Sequence, residues 1–217
     1  EIEALPLVCD VRDPDQVEAM VDAAIGHFGR VDILVNNAAG NFLVRAEDLS
    51  PAGWQAVTRI VLDGSWFCSR AVYEHMKSQG GGNILNVLAT YATGAGPLTV
   101  HSAAAKAGVL SLTRTLAVEW ADARIRVNAI APGPVDTHGA GSRLWNSDEA
   151  RASIAEKLPM GRFGTEAEVA DVARFLVSDA ASYVTGTMLP VDGGLTLGEG
   201  HLANIEAVQD LLRGLKD

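Results

Sequence analysis

Apolar and polar positions alternate along this chain in blocks of two kinds. Short apolar runs predict strands at Leu5–Cys9, Val31–Val35, Asn83–Leu88, Ile125–Ile130 and Thr187–Val191. Between them, apolar residues recur at helical spacing. Val17, Met20, Val21, Ala24 and Ile25 do so over residues 16–28, with Asp13-Pro14 as a start and Gly29 as a stop. Ser50-Pro51 predicts the start of a long helix, because serine caps well and proline is tolerated in the first turn. That helix is expected to reach Ser78, before Gly80-Gly81-Gly82. His101–Trp120, rich in Ala, Leu and Val, predicts a buried helix, and Glu166–Ser178 another. Residues 138–163 are polar and irregular, and Ile205–Leu215 is an amphipathic stretch that reads as a surface or interface helix. Strands alternating with helices of this length imply an α/β domain, a Rossmann-like doubly wound parallel sheet with helices on both faces. Ligands of such sheets sit outside the carboxyl ends of the strands.

Composition narrows the class. The 217 residues fit one domain, and 48% hydrophobic content supplies a sizeable core. A net charge of -10 without blocks of like charge argues against nucleic acid or an anionic membrane as the main partner. Two cysteines, Cys9 and Cys68, are too few for a disulfide framework, and both fall in apolar stretches as expected of reduced core thiols. The five histidines lack metal-site spacing, so no metal is expected. No apolar run is long enough to span a membrane and no signal peptide is visible, so a cytoplasmic setting is expected.

The candidate chemistry lies just after strands or on the helix that follows one. In Asn36-Asn37-Ala38-Ala39-Gly40 small residues let a planar ring approach the backbone; the same residues also fit an ordinary turn. Ser102 and Lys106 stand one helical turn apart and face the same way. A lysine in an Ala-rich apolar helix either snorkels to water or is held as a cation for ribose hydroxyls and for a nearby phenol. Tyr91, fifteen residues before Lys106, is a candidate acid or hydrogen-bond donor, or else a loop anchor. Pro132-Gly133-Pro134-Val135 reads as a turn or as a backbone platform for a nicotinamide. Asp10 with Val11 reads as a helix cap or an adenine contact. Arg12 and Arg143 are the cations available to a ligand phosphate, unless they are solvated surface charges. His101, beside Ser102, reads as a packing residue or as a support for its neighbours rather than as a ligand.

Asn36–Gly40, Lys106, Pro132–Val135 and Asp192-Gly193-Gly194, in this order, resemble the short-chain dehydrogenase/reductase family over essentially the whole chain. Within it, Asn41-Phe42, Tyr91, Ser102-x-x-x-Lys106 and Gly139-Ala140-Gly141-Ser142-Arg143 look like the 2,4-dienoyl-CoA reductases of the mitochondrial and Gram-positive bacterial type. The peroxisomal branch is a poorer match. Ser102 stands where most of the family has tyrosine, and Ala89 where it has serine, which argues against a carbonyl-reducing 3-oxoacyl or sugar dehydrogenase.

The resemblance implies roles. Tyr91 and Asn41 would hydrogen-bond the thioester oxygen, and Lys106 with Ser102 would support the network. Asp10, Val11, Asn37, Ala38, Ala39, Gly40, Lys106 and Pro132–Val135 would hold NADPH, with NADH as the alternative. Arg12, Phe42, Ser50 and Arg143 would line the acyl-CoA site, and residues 138–163 would form a substrate lid. A homotetramer is implied, built through the helices at 51–78 and 102–120.

Two departures stand out. Asp63 replaces a helix-bending asparagine. The family's first strand, its glycine-rich phosphate turn and its second strand have no counterpart before Asp10, so an N-terminally truncated enzyme is expected, or a catalytically dead remnant.

Overall fold

The computed structural model describes residues 2–137 and 148–198. Contacts divide the chain into two units, one formed by residues up to Ala131 with Asp171–Leu189, the other by Pro132–Ala170 with residues from Pro190 onward.

Helix α1 spans Pro14–Phe28. The Asp13 carboxylate accepts from the N–H groups of Asp15 and Gln16, satisfying donors that a first turn leaves open. Gly29 ends the helix at φ 80°, a left-handed conformation glycine adopts without steric cost. The expected long helix exists but is not continuous. It runs as α2 (Pro51–Thr58), a π-helical turn (Arg59–Asp63) and α3 (Gly64–Ser78). The Ser50 hydroxyl accepts from Gly53 N–H at its start. The π turn ends on Asp63, the position where the sequence departs from the family pattern, and such turns concentrate at functional sites. Helix α4 spans Val100–Glu119.

Four strands, β1 (Ile33–Asn36), β2 (Gly82–Val87), β3 (Ile125–Pro132) and β6 (Met188–Val191), form one sheet in that order. β1 pairs with β2, and β2 with β3, in parallel, with Asn36 opposite Asn86 and Asn86 opposite Ala129. The apolar cluster of Val21, Val72, Met76, Ile84, Leu116, Trp120 and Val127 ties α1, α3 and α4 to the strands. A second cluster, including Val57, Val61, Ala105, Val109 and Ala129, joins α2, the π turn and α4.

One expected strand is absent. Leu5–Cys9 carries no regular structure, and Val8 is fully exposed. A strand needs a neighbour for its N–H and C=O groups, and no described strand lies beside this run. β1 is likewise an edge, with Ile33 and Val35 about half exposed.

In the second unit, β4 (Val135–Asp136) pairs in parallel with β5 (Gly164–Thr165), an element that residues too few for periodicity did not announce. Helices α5 (Asp148–Ala155) and α7 (Leu195–Gly198) also belong there, while α6 (Glu166–Val177) passes from this unit to the first. Part of the expected lid, 138–147, and the amphipathic stretch 205–215 lie outside the described residues.

Candidate active site

Tyr91 sits in a single 3-10 turn, Thr90–Ala92, just past the carboxyl end of β2. Its phenol oxygen lies 3.0 Å from Ser102 Oγ on the first turns of α4. Ser102 is buried, Tyr91 half-buried. A tyrosine from the β2–α4 loop thus reaches the helix position four residues before the lysine. Lys106 is 7% exposed, and its ammonium donates to the carbonyl of Val87, the last residue of β2. Burial pushes its pKa down to about 8. An ammonium has three N–H donors, so two remain after the Val87 bond.

The Asn41–Phe42 segment comes to the same helix turn by another route. Asn41 Oδ1 accepts from its neighbour's backbone, Phe42 N–H, at 2.9 Å, which leaves its amide NH2 to donate elsewhere. The Phe42 ring stands 4.4 Å from the His101 ring, centroid to centroid. Val44 N–H donates to Leu98 O at 2.9 Å, so the loop after β1 lies along the loop before α4. A Cβ on Gly53 would stand 3.1 Å from Phe42 Cζ and 3.3 Å from Ser50 Oγ. Phe42, Ser50 and the start of α2 therefore converge, although the Ser50 hydroxyl is engaged as a helix cap.

Asn36 and Asn37, adjacent in sequence, diverge. Asn36 points into the core, donating to Asn86 Oδ1 at 2.8 Å and Ser69 Oγ at 3.1 Å. Asn86 in turn donates to Thr113 Oγ1 at 2.8 Å, and Thr113 to Val109 O. This network went unread in the sequence; the signal was Asn in the middle of an apolar strand. Asn37, Ala38 and Ala39 are exposed, and Gly40 lies against Ile60.

Asp10 and Arg12 hold each other. Arg12 Nε donates to both carboxylate oxygens at 2.9 and 3.0 Å, and Nη2 to Oδ2. Those hydrogen bonds hold the Asp10 carboxyl at about 2. The Arg12 fork is therefore turned on Asp10 here, and Val11 packs on Gly64, where a Cβ would come within 2.8 Å of its side chain. Pro132–Val135 belong to the second unit. There Gly133 N–H donates to Val191 O, and Gly164 N–H to Pro134 O. Arg143 lies outside the described residues. Cys9 and Cys68 are both free thiols, with burial pushing Cys68 up to about 11. Among the described residues no His, Cys, Asp and Glu cluster could hold a metal, and no helix is long and apolar enough to cross a membrane.

Residues 1–196 match a family model described as enoyl-(acyl carrier protein) reductase. The chain is 54% identical over 189 residues to a probable 2,4-dienoyl-CoA reductase [(2E)-enoyl-CoA-producing] of Bacillus subtilis, covering 85% of this chain and 74% of that protein. It is 42% identical to the peroxisomal 2,4-dienoyl-CoA reductase [(3E)-enoyl-CoA-producing] of Danio rerio, covering 89% of this chain and 64% of the relative. Glucose 1-dehydrogenase 2 of Bacillus subtilis is 38% identical, with 92% of this chain and 78% of that one covered. Among solved structures, a short chain dehydrogenase from Bacillus anthracis matches with TM-score 0.79 at 47% identity, covering 88% of this chain and 75% of that one. A gluconate 5-dehydrogenase from Burkholderia cenocepacia in complex with NADP and tartrate matches with TM-score 0.82 at 34% identity, covering 87% and 73%. The chain belongs to the short-chain dehydrogenase/reductase family of oxidoreductases.

Proposed function

We propose that the protein reduces 2,4-dienoyl-CoA thioesters with NADPH, as a step in the β-oxidation of unsaturated fatty acids. The observation that carries this reading is the 3.0 Å contact between Tyr91 and Ser102. It brings a phenol to the helix turn bearing Lys106 while the helix itself supplies only a serine. The 54% identity to a probable dienoyl-CoA reductase supports it.

The residues fit a nicotinamide cofactor. Lys106 has two N–H donors left for ribose hydroxyls. Exposed Asn37–Ala39 offer a small-residue surface to a flat ring. Asp10 with Val11, and Pro132–Val135, are the proposed contacts for adenine and for the nicotinamide. When bound, the cofactor supplies a hydride to the δ carbon of the diene. Tyr91 donates to the thioester oxygen, and Asn41 Nδ2 is the proposed second donor. Charge arriving on that oxygen meets fixed dipoles, which act most strongly where water is excluded. Lys106, as a nearby cation, favours the ionised form of its neighbours and so polarises the network. Phe42, Ser50, Arg12 and Arg143 are the proposed acyl-CoA contacts.

Protonation of the dienolate at the α carbon leaves a 3-enoyl-CoA, the product we propose; protonation at the γ carbon leaves a 2-enoyl-CoA. The names of the two reductase relatives divide along this line. A cytoplasmic homotetramer is part of the same proposal.

A second reading, reduction of a ketone or sugar, is favoured by the glucose 1-dehydrogenase relative. Carbonyl chemistry needs an acid at the substrate oxygen, and Ala89 with Ser102 argues against the usual arrangement. The deciding experiment is oxidation of NADPH by the full-length protein with 2,4-hexadienoyl-CoA, against a 3-oxoacyl-CoA and glucose with the matching cofactor forms. Turnover of the dienoyl thioester alone supports the proposal, and product analysis assigns the double bond. Turnover of the carbonyl substrates alone overturns it. No turnover of any overturns both readings.

A further inference from the structure

His101 is a core histidine that no described group satisfies. It stands in the first turn of α4, 0% exposed. Neither Nδ1 nor Nε2 has a hydrogen-bond partner among the described residues. A neutral imidazole always presents one donor and one acceptor, and leaving both unmet in an interior is costly. Phenylalanine would fill the same space without that cost. Buried polar atoms that persist unpaired call for a use.

The position suggests one. His101 precedes Ser102, which touches Tyr91 at 3.0 Å. Its ring packs on Phe42, which follows Asn41. It is therefore the chain neighbour of Ser102 and, through its ring contact with Phe42, one residue removed in space from Asn41. Phe42 is 41% exposed, with one face over His101. A ligand on the exposed side of Phe42 would meet the imidazole only once the phenylalanine ring moved aside. The chemistry of that ligand is constrained. Burial lowers the pKa of His101, which keeps the ring neutral. A neutral ring suits a neutral secondary amide, whose N–H or C=O can meet one of the two ring nitrogens, and gives no charge to a phosphate or carboxylate.

We propose that His101 binds the secondary amide nearest the thioester in the pantetheine arm of the acyl-CoA substrate. This rests on the dienoyl-CoA reading above. The amide nitrogen stands two methylenes from the thioester sulfur, the next polar group after the carbonyl. Phe42 covers His101 in the free protein and packs against the arm when the substrate is seated.

The test compares two thioesters of 2,4-hexadienoic acid with the full-length protein: N-acetylcysteamine, which carries that amide, and S-pentyl, which matches its length without it. The wild type is expected to prefer the amide-bearing thioester by about tenfold in kcat/KM, mostly through KM, the worth of one good neutral hydrogen bond. His101→Phe is expected to lose the preference while melting no lower than the wild type. His101→Gln, which keeps a donor and an acceptor, is expected to recover it. Equal use of both thioesters by the wild type, or an unchanged preference in His101→Phe, overturns the proposal. A sharply lowered melting temperature of His101→Phe, with His101→Gln preserving stability but showing no preference, marks the ring as a structural partner and also overturns it. If the wild type reduces neither thioester nor 2,4-hexadienoyl-CoA, the dienoyl reading itself fails and this inference falls with it.

Discussion

Asn86 and Val87 are neighbours at the end of β2, and the polar groups around them are used in opposite ways. The Asn86 side chain joins Asn36, Ser69 and Thr113 in a chain of hydrogen bonds closed within the protein. Asn86, Ser69 and Thr113 are each 0% exposed. Around Val87 the accounts stay open. Lys106 spends one donor on the Val87 carbonyl, Tyr91 and Ser102 share a single bond, and His101 makes none among the described residues. Both groups are served by α4, whose Ser102, Lys106 and Thr113 fall on one face at intervals of four and seven. A closed polar network fixes strand and helix positions. An open one holds capacity for a ligand. The difference separates scaffold from site better than burial does, since both are buried.

That contrast can be broken or sharpened by substitution. Tyr91→Phe removes the proposed donor to the thioester oxygen and touches no closed network. It is expected to lower kcat for dienoyl reduction by about 10²–10³ while the melting temperature stays near that of the wild type. A large loss of stability with retained turnover would place Tyr91 on the scaffold side. Asn86→Ala should do the reverse. It takes one partner each from the Asn36 amide, which keeps Ser69 Oγ, and from the Thr113 hydroxyl, which still donates to Val109 O, so urea melts should show a loss of about 2 kcal/mol for the two broken hydrogen bonds. The surviving folded molecules should turn over normally.

Lys106 gives a pH signature. Its pKa is about 8 when folded against an ordinary lysine value of 10.5. The folded state binds fewer protons between these values, so holding the charge costs stability below pH 8. That cost is relieved as pH rises toward 10.5. The gain of wild type relative to Lys106→Met across this window is on the order of 3 kcal/mol at most. Urea melts of both proteins from pH 7 to 10.5 check it, and a flat difference would mean the ammonium is stabilised by partners as well as it is by water. The smallest effect is expected at Ser50. Ser50→Ala loses the α2 cap at about 1 kcal/mol, and any larger fall in substrate affinity would add Ser50 to the site proper.

The sequence by itself determined the α/β class, the order of the main elements and the candidates for the reacting groups. Periodicity set α1, and an Ala-, Leu- and Val-rich composition set α4, to within a residue or two, because a helix of four turns repeats its apolar face often enough to be read and a buried one is apolar nearly all round. Asp13, Ser50 and Gly29 marked ends because capping is a local property of one or two residues. Tyr91, Ser102 and Lys106 were legible as a set from their spacing and family resemblance. Only the tertiary structure decided what depends on a partner distant in the chain. Leu5–Cys9 has strand composition but no described strand to pair with. The π turn at Arg59–Asp63 left no break in the apolar pattern. Asn36 faces Asn86 across fifty residues, while its twin Asn37 faces out. His101 looks like any packing histidine until every atom around it is known. Helix and turn signals are written in neighbours along the chain; hydrogen-bond satisfaction in a core is a property of neighbours in space.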